Sequence, residues 1–349
     1  MKERKGPASS FGLHRVLDEV PCLPQAAKRL DNSLPIYHNE ISIEVEHLNI
    51  DAASFVQMEE EAGGDVDRIA SIVLSNTQAH GKQQNRVTGS GGMLVGSILE
   101  IGSQYRGPLK AKKGDRIATL VSLTLTPLHL DHIIRVNKVN HQIEVKGHAI
   151  LFESSIAATM PPDIRETVAM AAYDVCGAPA WAHALAKPGM NVVILGAGGK
   201  AGLLSCAAAR DKMKRAGKII AIEPMERALG DLKKLGACND ILQIDATNPV
   251  AVLEAVKKAT RGKMADLVIS VASVPNTENS ALLSVNKKGK VVFFSMATSF
   301  AKVALGAEGI ATSSQLLFGN GYYPNHATYT LDLLRKNKKL RAIFESRYA

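Results

Sequence analysis

The sequence predicts an α/β protein in two parts, a strand-rich first half followed by a doubly wound parallel sheet, and three observations carry that prediction. From about residue 40 to residue 150, short runs alternate apolar and polar positions and are separated by turn residues. From about residue 165, apolar strands alternate with stretches of helical periodicity, which is the pattern of βαβ units. The length of 349 residues fits two domains of ordinary size.

In the first half, strands are expected at Ile41 to Glu46, Arg68 to Leu74, Met93 to Ile101 and Arg116 to Leu125. One helix through Arg165 to Ala186, ending before Pro188-Gly189, marks the junction between the parts. Beyond it, Asn191 to Leu195, Lys218 to Ile222, Asp266 to Val271 and Lys290 to Ser295 read as strands of a parallel sheet. Pro249 to Thr260 has the length of a crossover helix, with Val250, Val252, Leu253 and Val256 spaced for one face.

Composition removes other classes. With 46% hydrophobic and 21% charged residues, the chain is neither disordered, collagenous nor a coiled coil. Apolar runs such as Val291 to Phe294 fall far short of the roughly 20 residues that span a bilayer. The first twenty residues carry Lys2, Glu3, Arg4, Lys5, Asp18 and Glu19 with no apolar centre, unlike a secretory signal, so a cytoplasmic location is expected. Cys22, Cys176, Cys206 and Cys238 show no CxxC pair and read as reduced, packed thiols. The net charge of +9 is dispersed over groups such as Lys212 to Arg215, Lys287-Lys288 and Lys336 to Arg341, which read as solvated faces. With 5% aromatics and no interleaved basic stripe, nucleic acid is not an expected partner, whereas small acidic molecules are.

The clearest chemical signal is the strand Asn191 to Leu195 running into Gly196-Ala197-Gly198-Gly199-Lys200-Ala201-Gly202, then a helix over Leu203 to Ala216 that stops at Gly217. Glycines let the backbone turn tightly and approach a pyrophosphate, and a helix N-terminus offers free N–H groups and partial positive charge. A second strand ends at Glu223, 21 residues after Gly202, where a carboxylate accepts bonds from both ribose hydroxyls. Strand, glycines, helix, strand and acid together predict a dinucleotide site. Counted from Gly196 the spacing is GxGxxxG, and counted back from Gly202 an alanine takes the first glycine place, so individual glycine roles stay open. Glu223 repels a 2′-phosphate and favours NAD, while Arg227, one turn into the next helix, softens that preference and keeps NADP as an alternative.

The run Gly91-Gly92-Met93-Leu94-Val95-Gly96-Ser97-Ile98-Leu99-Glu100-Ile101-Gly102, the turn Lys112 to Arg116 and the closing segment Ser314 to Leu334 resemble the medium-chain dehydrogenase/reductase superfamily. The resemblance implies a GroES-like catalytic domain formed by residues 1–170 and 311–349, and a Rossmann domain at 171–310. It also aligns Gly92 and Met93 with the His and Glu of the superfamily's Gly-His-Glu signature, whose His is a zinc ligand in zinc-dependent members. Cys176 stands about where a third ligand sits in those members, and by itself reads as a buried small hydrophobe. Catalytic zinc needs three protein ligands, so the chain is expected to be zinc-independent. Three further stretches, Ser75 to Met93, Ser122 to Leu128 and Asp174 to Pro179, are similar to the L-erythro-3,5-diaminohexanoate dehydrogenase family. That resemblance implies NAD(P)-dependent removal of the 3-amino group in lysine fermentation, giving 5-amino-3-oxohexanoate and ammonia, by a homodimer.

Oxidising an amine requires its neutral form, so a base or water chain is needed, and a substrate with a carboxylate and two amines calls for a cation and an anion in the pocket. Arg86, in the polar run before the glycines, suits the carboxylate, or else is a solvated loop arginine. His80 and Lys82, read in the same loop, are candidates for proton carrier or second cation. Asn85, Thr77 and Thr124 are candidates to position water or the cofactor amide, or turn and strand residues. Asp174, between the apolar run Val168 to Ala172 and Val175-Cys176, either caps a helix or pairs a basic side chain, or accepts a substrate ammonium. Competing readings are a zinc-free enone or quinone reductase and a nucleotide-binding protein without turnover.

Overall fold

The computed structural model describes residues 3–85, 89–319 and 321–349. The chain divides into two compact units, Met1–Asp174 and Val175–Ala349. No helix among the described residues is long and apolar enough to cross a membrane, and all four cysteines are free.

The first unit is built on a six-stranded antiparallel sheet in the order β4-β5-β1-β2-β3-β6. Its strands are β1 (Ile41–Asn49), β2 (Met93–Ile101), β3 (Arg116–Thr119), β4 (Leu128–Asn137), β5 (Gln142–Leu151) and β6 (Ala157–Thr159). Ile41, Ile43, Val45 and Leu48 of β1 pack with Leu94, Ile98, Ile143 and Val145 in one core, as alternation requires. The strand expected at Arg68 to Leu74 is instead part of helix α2 (Val66–His80), which follows α1 (Ala52–Glu61). Asp65 caps α2 by accepting from the Arg68 N–H, and Ile69, Val73 and Thr77 form its buried stripe. That spacing of four is helical, and in so short a window the apolar run hid it. The strand expected to reach Leu125 stops at Thr119, and Leu123–Leu125 form a turn of 3-10 helix behind the Ser122 cap.

The single junction helix is two, α3 (Glu166–Tyr173) and α4 (Gly177–Leu185). Pro179 explains the break: it has no N–H to give the carbonyl of Val175, and that carbonyl accepts from Ala178 instead at 3.0 Å.

The second unit carries a six-stranded parallel sheet in the order β12-β11-β10-β7-β8-β9. The strands are β7 (Asn191–Leu195), β8 (Lys218–Ile222), β9 (Asp240–Leu242), β10 (Ala265–Ser270), β11 (Val285–Phe293) and β12 (Gln315–Phe318). Between them lie α5 (Lys200–Met213), α6 (Glu226–Leu235), α7 (Pro249–Ala259), α8 (Glu278–Ser284) and α9 (Phe300–Gly309), with α10 (His326–Lys336) and α11 (Lys338–Tyr348) last. Successive residues Val192 to Leu195 are all buried, so both faces of the sheet are covered. In α7, Val252 and Val256 face the core whereas Val250 is exposed. The order reverses between β7 and β10, which makes the carboxyl end of β7 the crevice where such sheets bind ligands. The closing segment at 311–349, expected to return to the first domain, belongs to the second unit: β12 extends the parallel sheet beside β11, and α11 packs on α5 and α6.

Candidate cofactor and substrate sites

At the carboxyl end of β7 the chain turns at Gly196, whose φ of +77° is left-handed, and its N–H and that of Ala197 both bond the carbonyl of Ile222. A Cβ on Gly196 would lie 2.6 Å from the Ala272 Cα, one on Gly198 2.4 Å from the Ala228 Cβ, and one on Gly202 2.3 Å from the Gly196 carbonyl oxygen. These three positions are the GxGxxxG register, and packing within the unit requires all three. Gly199 differs. Its nearest neighbour would be 3.7 Å away, and it is exposed at the N-cap of α5 with no side-chain cap. Lys200, Ala201 and Gly202 follow as the first turn of that helix, whose positive dipole end is the place where a phosphate is favoured.

Glu223 closes the site from β8. It is buried, with Oε2 accepting from the Gly198 N–H at 2.8 Å and Oε1 from the Met225 N–H at 3.0 Å. Each oxygen keeps a lone pair for a ribose hydroxyl. Arg227 is exposed on α6. Sequence reasoning missed Arg347 in α11: its Nη1 donates to the Gly198 carbonyl at 2.8 Å, and its Nε and Nη2 donate to Asp231 at 2.8 and 2.6 Å. Separation by more than a hundred residues left no local signal for it. Loop, helix start and buried acid fit a dinucleotide, and Gly199 is the loop glycine with open space around it.

In the first unit, the polar run before the glycines is largely helix and turn. His80 is the last residue of α2, and its Nδ1 lies 3.0 Å from the Lys28 carbonyl. Lys82 is fully buried and donates to the carbonyls of Pro24 and Gln25 at 2.9 and 3.1 Å. Burial pulls its pKa down from 10.5 to about 8, with Asp18 and Cys22 opposing. Thr77 bonds the Val73 carbonyl at 2.7 Å inside α2. Asn85 is buried and donates to Gln57 Oε1 at 2.7 Å, and its backbone N–H bonds the Ser90 carbonyl. Thr124 is buried with its hydroxyl 3.1 Å from Ser122 Oγ, which also accepts the Gly91 N–H. Each of these side chains bonds backbone or neighbouring polar atoms. Arg86 lies outside the described residues. Asp174 is half-buried at the C-cap of α3, its N–H bonded to the Met170 carbonyl, so it is not a helix N-cap. Cys176 is buried at the start of α4, as expected for a packed thiol.

Zinc finds no fitting ligand set among the described residues. Their one group of three His or acidic side chains within metal-ligand reach is Glu46, His47 and Glu166. Arg116 already fills that group, with Nη2 at 2.5 Å from Glu46 and 2.7 Å from Glu166. Gly92 has φ +79°, and a Cβ there would lie 2.1 Å from the Asn49 carbonyl oxygen, so this position admits no side chain at all.

Residues 14–161 match the family model of the L-erythro-3,5-diaminohexanoate dehydrogenase N-terminal domain, and residues 201–333 match that of zinc-binding dehydrogenases. Among solved structures, a mycobacterial protein crystallised with NADPH aligns with a TM-score of 0.55 at 15% identity, covering 90% of each chain, a likeness of fold. Two curated relatives, the L-erythro-3,5-diaminohexanoate dehydrogenases of Acetoanaerobium sticklandii and Fusobacterium nucleatum, are each 46% identical over 338 residues, or 97% of this chain and 98% of theirs. With identity of that level running from end to end, through both the antiparallel unit and the glycine loop, this chain belongs to the L-erythro-3,5-diaminohexanoate dehydrogenase family.

Proposed function

We propose that the chain oxidises the 3-amino group of L-erythro-3,5-diaminohexanoate, with NAD as the preferred hydride acceptor, as a step of lysine fermentation. The observation that carries this reading is the end-to-end 46% identity with two relatives of that name. The glycine loop with a buried Glu223 supplies the matching cofactor chemistry. The nicotinamide accepts two electrons and a proton as hydride. The substrate ammonium loses one proton, hydride leaves C3 to give an iminium, and water adds and expels the nitrogen as ammonium. The products are 5-amino-3-oxohexanoate, ammonium, the reduced cofactor and one proton, which balances the ammonium, oxidised cofactor and water consumed.

Gly196 to Gly202 hold the pyrophosphate and Glu223 the adenosine ribose. Two bonds already orient the Glu223 carboxylate, and its charge opposes a 2′-phosphate. Asp174 is our choice for the substrate ammonium, either anchoring the 5-amino group or taking the proton that frees the 3-amine. It stands half-buried between the end of α3 and the start of α4. Arg86 remains our choice for the carboxylate on the ground of its bidentate geometry. No zinc takes part in this scheme. A second copy of the chain covers the open edge of β12, where the Phe318 and Phe300 rings meet at a tilt, 5.5 Å apart, and are 48% and 71% exposed.

The test is incubation with L-erythro-3,5-diaminohexanoate and NAD or NADP, following reduced cofactor and ammonia together. Equimolar appearance of both, faster with NAD, is expected, and cofactor reduction without ammonia overturns the assignment. Asp174→Asn is expected to lower turnover about 10²-fold with NAD affinity intact. A variant that loses stability but keeps turnover per folded molecule leaves Asp174 a structural acid.

A further inference from the structure

We infer that Arg347, in the last turn of the chain, is a positioning residue of the cofactor loop and sets affinity for the dinucleotide. The inference rests on the reading that the glycine loop holds that cofactor. Gly198 is gripped at both of its backbone polar atoms: its N–H donates to Glu223 Oε2 and its carbonyl accepts from Arg347 Nη1, each at 2.8 Å. The carbonyl of Gly198 and the N–H of Gly199 belong to one planar peptide and point in opposite directions. Holding the carbonyl therefore fixes the orientation of that peptide, whose Gly199 N–H also makes a long 3.4 Å bond to the Gly196 carbonyl, at the one glycine of the loop with open space around it.

The guanidinium is itself held. Its Nε and Nη2 both donate to Asp231 Oδ2 in α6, and the two side chains are only 24% and 20% exposed. Asp231 balances its charge, so Arg347 acts through geometry and adds no free cation beside the ribose site. Glycine loses more backbone freedom on ordering than any other residue, so a loop of three glycines in four positions binds tightly only if something else orders it beforehand. Glu223 orders it from β8 and Arg347 from α11. The two act on the same residue from opposite sides.

The experiment uses the full chain and titrates NAD into the unaltered protein, Arg347→Gln, Arg347→Lys, Asp231→Asn, Glu223→Ala and the double variant Arg347→Gln/Glu223→Ala. Arg347→Gln is expected to raise the Kd for NAD about tenfold while kcat at saturating NAD falls less than threefold. Arg347→Lys recovers part of the loss, since one ammonium reaches the carbonyl without the fork on Asp231. The double variant loses less than the product of the two single effects, because both ties act on Gly198. An unchanged Kd in Arg347→Gln, with Glu223→Ala weakened, overturns the inference and leaves Arg347 a tie between α11 and α6. Unchanged Kd in both single variants sinks the cofactor reading itself. If Arg347→Gln does not fold, Arg347→Lys and Asp231→Asn decide, and a fall in Tm at constant Kd in them overturns the inference.

Discussion

Glu223 shows how much one side chain decides. Its carboxylate is held by the N–H groups of Gly198 and Met225, so truncation loosens the loop and, on the proposed reading, removes a ribose partner at the same time. Glu223→Ala is expected to weaken NAD about tenfold or more and NADP by less, because the repulsion of a 2′-phosphate disappears while Arg227 stays exposed nearby on α6. Equal loss for both cofactors in a binding titration would contradict that. Lys82 makes the opposite point. It was a candidate for proton transfer, yet its ammonium is fully buried against the carbonyls of Pro24 and Gln25. Its pKa of about 8 in the folded chain, against 10.5 ordinarily, means that the unfolded chain binds more protons between those values. Stability from this group therefore rises with pH from about 8 to 10.5 and is flat below. Lys82→Met should lose that rise in denaturant melts and cost about 1–3 kcal/mol, through two carbonyls left without a donor. A wild-type pH profile that matches the variant's would refute it.

At the scale of elements, the junction of β7 and α5 separates glycines that packing requires from one with open space around it. Gly202→Ala forces a Cβ to within 2.3 Å of the Gly196 carbonyl oxygen, and a loss of about 1–3 kcal/mol in stability is expected. Gly199→Ala meets nothing closer than 3.7 Å and its φ of −72° suits any residue, so Tm should hold while NAD affinity falls. Thermal melts beside NAD titrations separate the two, and a large drop in Tm for Gly199→Ala would contradict the division. The sequence pattern marked this element well, since strand, glycines and acid are all local. It misread α2, where Ile69 and Val73 lie on one helical face but also sit in a short apolar run that reads as a strand. It also read α3 and α4 as one helix, because the cost of Pro179 inside a helix was outweighed by the apolar run around it.

At the scale of the molecule, metal dependence turns on which side chains converge. Glu46, His47 and Glu166 come together from β1 and α3, and Arg116 of β3 bridges the two carboxylates. Prolonged treatment with a strong chelator should leave turnover unchanged. Loss that zinc restores would reveal a ligand set beyond these residues. Convergence also changes the meaning of charge: Lys214, Arg215, Lys336, Lys338 and Lys339, dispersed in sequence, line one surface cleft of about 680 Å³ with Asp211 and Asp332. The closing residues 311–349 likewise belong with the parallel sheet, where α11 delivers Arg347 to the glycine loop.

The sequence by itself determined the two-part architecture, the parallel sheet and the place of the glycine loop between β7 and α5, because periodicity, turn residues and glycine spacing are properties of neighbours along the chain. It also carried the family, through runs such as Ser75 to Met93 and Asp174 to Pro179. Only the tertiary structure decided what the polar side chains face. Lys82, Asn85 and Thr124 are spent on hydrogen bonds within the first unit, Gly92 stands where no side chain fits, and the loop is held by an arginine from the far end of the chain. The physical reason is that a hydrogen bond or ion pair is a meeting of two groups, and when they come from distant segments neither segment alone specifies it.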